Sequence, residues 1–438
     1  MKIRVDQEDD LAMAQAISHF QDRLPCCFDT RLRGMRRMAS DKVWTVEDAG
    51  VLLKRMGVYG AEDSLAGEEI GDGNLNYVFR LSGKESGRSV IIKKAVPFLR
   101  VVGDSWPLTE ERASIEAQAL EFQARVAPEH VPALYAYSPD DHAIVMEDLS
   151  RLKVMRGVLN EGRQFPKFAG HVAHFLAQTL FWSSDRSGHI EDKKRRAAEM
   201  TNPELCRITE ALIFTDPFYN AQTNRIEGYL GEAVEALWRD SHVLERVFFL
   251  KDRFMTAGQA LVHGDLHTGS IMVGAEETRV IDPEFAFYGP MGFDIGLLLA
   301  NLFLNMLGHA ARKTSKAHIE YLRRTAQTVW VQFAGEFAAL WRETSYDGIF
   351  HTSEIERTYL RGVLRDARGY AGCEMIRRTI GLAQVSDLTL IEPEGSRRNA
   401  QEAALGAGRD LIKGYETNED IDSVLAVVDR WMTDIERW

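Results

Sequence analysis

Apolar and polar positions change rhythm twice along the chain. From Trp44 the segment Thr45-Val46-Glu47-Asp48 has the form of a helix-opening cap and predicts a short helix through Met56. Two β-branched and aromatic runs follow, Tyr77-Val78-Phe79-Arg80-Leu81 and Val90-Ile91-Ile92-Lys93, parted by Ser82-Gly83-Lys84-Glu85-Ser86-Gly87, a hairpin pattern. Leu108 to Val126 puts Ile115, Ala119, Phe122 and Val126 on one helical face. Strands are expected over His130 to Tyr137 and Ala143 to Met146, joined by the turn Ser138-Pro139-Asp140-Asp141. Beyond Glu147 the pattern turns mostly helical, broken by one small hairpin in which Ile271-Met272-Val273 and Arg279-Val280-Ile281 flank Gly274-Ala275-Glu276-Glu277. This order predicts an α+β, bilobal chain. A small β-rich lobe spans 44–147, a large, mainly helical lobe spans 148–438, and residues 1–43 precede them as an extension.

Composition narrows the class. At 438 residues the chain exceeds the size at which one core stops growing, and 45% hydrophobic with 27% charged residues is ordinary globular usage. A formal net charge of -12 argues against general nucleic-acid or membrane-surface binding, since both partners are polyanionic. The cysteines, Cys26, Cys27, Cys206 and Cys373, lack paired metal spacing and read as reduced thiols. No apolar signal core follows Met1-Lys2-Ile3, so a cytoplasmic location is expected. Ile295 to Leu307 is apolar but interrupted by Asn301 and Asn305, short of the roughly 20 residues that span a bilayer, and reads as a buried helix. The basic cluster Arg31, Arg33, Arg36 and Arg37 reads as part of an extension or misassigned start, with a docking arm as the alternative.

The chemistry concentrates around the small hairpin. Phosphoryl transfer needs a group that positions a hydroxyl nucleophile and groups that hold Mg2+ on phosphate oxygens. Asp265, in His263-Gly264-Asp265-Leu266-His267, enters the hairpin, and Asp282, in Ile281-Asp282-Pro283-Glu284, leaves it. That is the order in which kinases place a catalytic and a metal-binding aspartate, and it predicts a protein-kinase-like fold using ATP and Mg2+. Where kinases carry an Asn five residues after the catalytic Asp, this chain has Ser270, a poorer metal donor, so Glu284 is assigned with Asp282 as the metal pair and Ser270 as an accessory. Gly71-Asp72-Gly73-Asn74 has the position of a phosphate-covering loop, though it lacks a third glycine. Lys93 is placed to meet the α- and β-phosphates, with Lys94 facing the other side; Glu116, or else Glu111, is the glutamate to hold it. Met146-Glu147-Asp148-Leu149 lies where backbone groups of a hinge would read adenine, nominating Glu147 and Leu149. Asp294, at the edge of the apolar run, is expected to accept hydrogen bonds from the Asp265 loop, and His263 and His267 to shape that loop.

Four stretches carry a specific resemblance. His263-Gly264-Asp265-Leu266-His267-Thr268-Gly269-Ser270, then Asp282-Pro283-Glu284-Phe285-Ala286-Phe287-Tyr288-Gly289-Pro290, together with Gly71 to Phe79 and Gly103-Asp104-Ser105-Trp106-Pro107-Leu108-Thr109, resemble the methylthioribose kinases of methionine salvage, within the aminoglycoside and choline kinase superfamily. The likeness covers roughly residues 44 to 415, and the serine at position 270 belongs to its pattern. It implies ATP-dependent phosphorylation of the anomeric hydroxyl of 5-methylthioribose, a homodimer, Trp106 at the sugar, and substrate bound between Asp265 and the adjacent pair Arg377 and Arg378. The competing expectations are a kinase of the same fold for choline, an aminoglycoside or another sugar, and a nucleotide-binding pseudokinase.

Overall fold

Thr45 opens the first helix with a capping box. Its hydroxyl accepts from the Asp48 N–H at 3.2 Å, and the Asp48 carboxylate accepts from the Thr45 N–H at 3.1 Å, starting α1 (Val46–Arg55). The computed structural model describes residues 43–70, 75–99, 103–344, 346, 348–417 and 420–437, with the backbone alone for 99, 103–107, 436 and 437. The extension over 1–42 and the loop Gly71–Asn74 therefore lie outside the described residues, as does the Trp106 side chain. The chain divides into two compact units: one runs to Gln118 and resumes over Ala133–Asp148, and the other takes Ala119–Pro132 and everything from Leu149.

In the first unit, β1 (Leu65–Glu69), β2 (Asn76–Gly83), β3 (Ser89–Ala95), β6 (Leu134–Ser138) and β7 (Ala143–Glu147) form one antiparallel sheet in the order β1-β2-β3-β7-β6; β4 (Phe98–Leu99) and β5 (Gly103–Pro107) pair separately. The alternation on β2 and β3 sends Phe79, Leu81, Val90 and Ile92 to one face, where α1 lays Ala49, Leu52 and Leu53 on them. Each such side chain contributes about 1.5–3 kcal/mol on burial. Strand β1 has no apolar alternation to reveal it, because it is a mostly exposed edge. The strand expected over His130 to Tyr137 begins later: Pro128–His130 is a 3-10 turn, and Pro132, which has no ladder donor, precedes β6.

α2 (Arg112–Val126) passes from the first unit into the second. The second unit then runs β8 (Lys153–Val154), α3 (Met155–Asn160), α4 (Phe168–Trp182), α5 (Ile190–Glu199), α6 (Pro203–Phe214), α7 (Gly231–Arg239), α8 (Ser241–Thr256), β9 (Ala260–Val262), β10 (Ile271–Val273), β11 (Thr278–Val280), β12 (Phe287–Gly289), α9 (Gly292–Ala311), α10 (Lys316–Thr344), α11 (Ser353–Ile380), α12 (Ser386–Thr389), α13 (Glu394–Lys413) and α14 (Ile421–Arg437). Strand β10 pairs with β11 and β8, and β12 pairs with β9, so the segments before and after the hairpin are strapped together. Helix α9 is buried along its whole length; it is long and apolar enough to cross a membrane, yet it is wholly covered by protein. Its Gly296 lies so close to α11 that a Cβ would stand 2.6 Å from the Ala367 carbonyl oxygen. That approach brings α9, which carries Asp294, against α11, which carries Arg377 and Arg378.

Replacing Gly296 with Val should separate the two helices and cost about 1–3 kcal/mol in denaturant unfolding, whereas Gly335→Ala on α10, with open space at its Cβ, should leave stability unchanged or raise it.

Candidate active site

Neighbours on a strand point to opposite faces, and β3 uses this to separate two lysines. Lys94 Nζ lies over the Trp44 ring, 5.4 Å from its centroid, while Lys93 Nζ meets Glu116 Oε2 at 2.8 Å. Lys93 and Glu116 are 8% and 2% exposed, and removing either member of so buried a pair strands a charge at a cost of about 3–5 kcal/mol. Glu116 rather than Glu111 takes this place because α2 starts at Arg112, which leaves Glu111 exposed ahead of the helix. Arg112, which no local sequence pattern marks, is 1% exposed, donates to the carbonyls of Leu75, Val96 and Thr109 and binds together the segments around β2, β3 and α2. At the end of β7, Glu147 exchanges backbone and side-chain hydrogen bonds with Ala133, and Asp148 accepts from Ser89 Oγ at 2.7 Å. Leu149 is buried at the start of the second unit's long segment.

In the second unit the loop between β9 and β10 is held almost atom by atom. Asp294, 2% exposed at the start of α9, accepts from the N–H of His263 at 2.6 Å and of Gly264 at 3.0 Å. Burial raises the Asp294 pKa despite these bonds. His263 Nε2 faces the Ile281 carbonyl at 2.9 Å and must donate there, which leaves Nδ1 to accept from the Asp265 N–H at 3.3 Å. Gly264 sits at φ +82°, where a Cβ would stand 2.1 Å from the Phe285 carbonyl oxygen, so only glycine lets this loop press against the turn after Asp282. The Ser270 hydroxyl donates toward the Asp265 and His267 carbonyls and accepts from the His267 N–H, closing the loop on itself.

His267 has a defined tautomer. Its Nδ1 accepts from the N–H of Gly269 at 2.9 Å and of Ser270 at 3.1 Å, so the proton is on Nε2, 3.3 Å from Asp265 Oδ2. Burial, with Arg378 and Arg156 nearby, outweighs Asp265 and lowers the His267 pKa, keeping the ring neutral. For Asp265 burial is opposed and overcome: His267, Arg378 and Arg377 hold its carboxyl well below the usual carboxylate range.

Arg377 and Arg378 come from the last turn of α11 and are aimed by Glu374 one turn earlier. Glu374 accepts from Arg377 Nη1 at 3.0 Å and Arg378 Nε at 2.5 Å, and the two guanidiniums hold it ionised against the burial that would raise its pKa. From there Arg378 Nη2 reaches within 3.6 Å of Asp265 Oδ1, and Arg377 Nη1 within 3.9 Å. Both distances exceed a hydrogen bond, and Arg378 Nη2 and Arg377 Nε are buried without a hydrogen-bond partner among the described residues. Buried donors so placed are expected to be completed by a bound molecule.

A third arginine, Arg156 on α3, was not legible from the sequence. Its backbone N–H donates to the Thr268 carbonyl at 2.9 Å, its Nη2 to Asn301 at 2.7 Å, and its Nε faces Asp387 at 3.4 Å. Burial, then Arg378, lower its pKa to about 10. Asn301 and Asn305, the interruptions of the apolar run, are thereby explained: one accepts from Arg156 and the other donates to Asp387 at 2.7 Å. The only sequence signal for Arg156 was two asparagines on a buried helix in need of partners.

Asp282 follows β11 at φ 69°, a left-handed conformation that Asp tolerates better than most residues, and the 3-10 turn Pro283–Phe285 begins there. This kink brings its carboxylate within 4.8 Å of that of Glu284, which is 3% exposed. An all-oxygen pair of this kind suits Mg2+.

An ionised aspartate on a braced loop, with an acidic pair beyond the next hairpin, is the working layout of kinase-type phosphotransferases. The sequence model described as the phosphotransferase enzyme family matches residues 66–327. Methylthioribose kinase of Geobacillus sp. (strain WCH70) is 46% identical over 85% of this chain and 92% of its own, and that of Geobacillus kaustophilus (strain HTA426) is 47% identical over 84% and 92%. The chain belongs to the methylthioribose kinase family. Among solved structures it is similar to Plasmodium vivax ethanolamine kinase, at 13% identity over 93% of this chain and 95% of that one, with a TM-score of 0.46.

The His267 geometry sets a pH dependence. With its folded pKa below the ordinary 6.5, the unfolded chain binds the extra proton first, so its contribution is complete above pH 6.5 and is lost as pH falls toward the folded value. His267→Asn keeps an acceptor for the Gly269 and Ser270 N–H groups but cannot titrate. Denaturant midpoints at pH 7.5 and 5.5 should therefore differ less in His267→Asn than in the wild type.

Proposed function

We propose that this kinase transfers the γ-phosphoryl group of ATP to the anomeric hydroxyl of 5-methylthioribose, giving ADP and 5-methylthioribose 1-phosphate for methionine salvage. The observation that carries the reading is Asp265, ionised and only 27% exposed, beside two arginines that each keep one buried nitrogen, Arg377 Nε and Arg378 Nη2, without a hydrogen-bond partner among the described residues. The neutral His267 and the loop's backbone bonds fix the carboxylate so that one of its oxygens accepts the proton of the sugar hydroxyl, while the hydroxyl oxygen attacks the γ-phosphorus and ADP leaves. Arg377 and Arg378 offer fixed forks for sugar hydroxyls and permanent charge against the transferring group. Their charge also disfavours the polycationic aminoglycosides and the cationic choline as acceptors.

In this reading Asp282 and Glu284 would hold Mg2+, which when bound neutralises charge on the phosphate oxygens, while Ser270 supports that seat through the loop. Lys93, kept in place by Glu116, would meet the α- and β-phosphates, and the position of Gly71, Asp72, Gly73 and Asn74 in the sequence assigns them to cover the phosphates. Backbone groups at Glu147 and Leu149 would read the adenine edge, and the family resemblance assigns Trp106 to the sugar. We further propose that the enzyme works in the cytoplasm as a homodimer.

A coupled ADP-release assay with methylthioribose, ribose, choline and an aminoglycoside should respond to methylthioribose and require Mg2+; a stronger response to another acceptor would overturn the substrate. Asp265→Asn should bind ATP with unchanged affinity while kcat falls by about 10²–10⁴-fold, and a variant that kept its turnover would remove Asp265 from the chemistry.

A further inference from the structure

A second cluster of ligating side chains lies in the same unit, at the turn Pro128–His130 and on α4, and it has no part in the phosphotransfer reading. Glu129, His130 and His174 each bring one ligating atom to within 4.8 Å of the others. The hydrogen bonds around them determine where the electron pairs lie. His174 Nδ1 is 2.7 Å from Glu336 Oε1 and must donate to that carboxylate. Its Nε2 then presents a lone pair, and what it faces is another acceptor, Glu129 Oε1 at 3.5 Å. A cation between two such acceptors, a proton or a metal ion, would satisfy both.

His130 offers a third, neutral ligand. It is 5% exposed and packed between two further imidazoles, with ring centroids 5.0 Å from His171 and 5.5 Å from His174, surroundings that oppose an added positive charge on its own ring. Its Nδ1 faces the Thr278 backbone carbonyl at 3.3 Å and donates there, which leaves Nε2 as the atom with a free lone pair. Both histidines thus have the outer hydrogen bond, to a carbonyl or a carboxylate, that orients metal-ligating imidazoles. The outer layer is itself anchored, since Gln178 donates to Glu336 at 2.7 Å and Trp182 donates to Gln178 at 2.9 Å. The 3.5 Å between His174 Nε2 and Glu129 Oε1 is close to the roughly 3.3 Å that separates two ligands bound about 2.0–2.1 Å from a tetrahedral zinc ion.

We propose that Glu129, His130 and His174 form a second metal site, which takes a divalent transition ion of the zinc class and leaves its remaining position to water. Two imidazoles and one carboxylate suit such an ion, whereas Mg2+ prefers an all-oxygen set such as Asp282 and Glu284. The bound ion ties the 128–130 turn to α4, and through Thr278 both are joined to β11, the strand that leads into Asp282. Its role is to brace this strand, not to take part in phosphoryl transfer.

The test uses the untagged full-length chain, stripped with a chelator and then held in saturating Mg2+ so that the acidic pair does not report. Calorimetric titration with Zn2+ should give one more bound equivalent for the wild type than for His174→Ala, and at least tenfold weaker binding for Glu129→Gln. Zn2+ should raise the wild-type Tm and leave that of His174→Ala unmoved, and Co2+ in place of Zn2+ should give the visible absorption of a nitrogen-ligated ion only in the wild type. In Mg2+ without zinc, His174→Ala should phosphorylate as fast as the wild type. Equal zinc stoichiometry and affinity in the wild type, His174→Ala and Glu129→Gln would overturn the proposal. Glu129 is more than half exposed, so its variant keeps the test decisive even if the histidine variant folds poorly.

Discussion

Keeping a carboxylate ionised where burial would neutralise it is the constraint on which the Asp265 region depends. Three guanidiniums, Arg156, Arg377 and Arg378, face three carboxylates, Asp265, Glu374 and Asp387, in a largely buried region. No pair in this set stands alone. Glu374 aims both arginines of α11, Asp387 holds Arg156, and the arginines in turn keep Asp265 charged. Such a lattice is costly to desolvate and yields little net stability, so its retention fits a task that needs fixed charge more than it needs a tighter core.

The same constraint accounts for features of the surrounding fold that would otherwise look like defects. Asparagines interrupt the fully buried α9 because Arg156 and Asp387 need partners there. Glycine is needed at 264 and at 296 because two backbones must touch, one to press the Asp265 loop onto the turn after Asp282 and one to bring α9 against α11. Asp294 accepts a large desolvation penalty in order to hold two backbone N–H groups of the loop. Each departure from ordinary helix or core chemistry is thus local strain or buried polarity spent on positioning one carboxylate.

Much of this was legible in the sequence where the signal is local. The capping box at Thr45, the β2–β3 hairpin and the short hairpin before Asp282 are set by neighbouring residues, and they lie where the pattern placed them. Strand β1 was missed because an exposed edge carries no alternation, and the start of β6 was displaced by Pro132. Glu116 is preferred to Glu111 from its place in the expected helix, and the helix start at Arg112, with the Lys93 ion pair, shows why.

What the sequence determined by itself was the set of reactive groups and their order, since the motif from His263 to Ser270 and the run from Asp282 to Pro290 are contiguous. What only the tertiary structure decided was their state. The neutral tautomer of His267, the charge on Asp265, the place of Arg156 and the convergence of Glu129, His130 and His174 all arise between segments distant in sequence. Protonation and hydrogen-bond direction depend on what stands within a few ångströms, and that distance is fixed by packing, not by spacing along the chain.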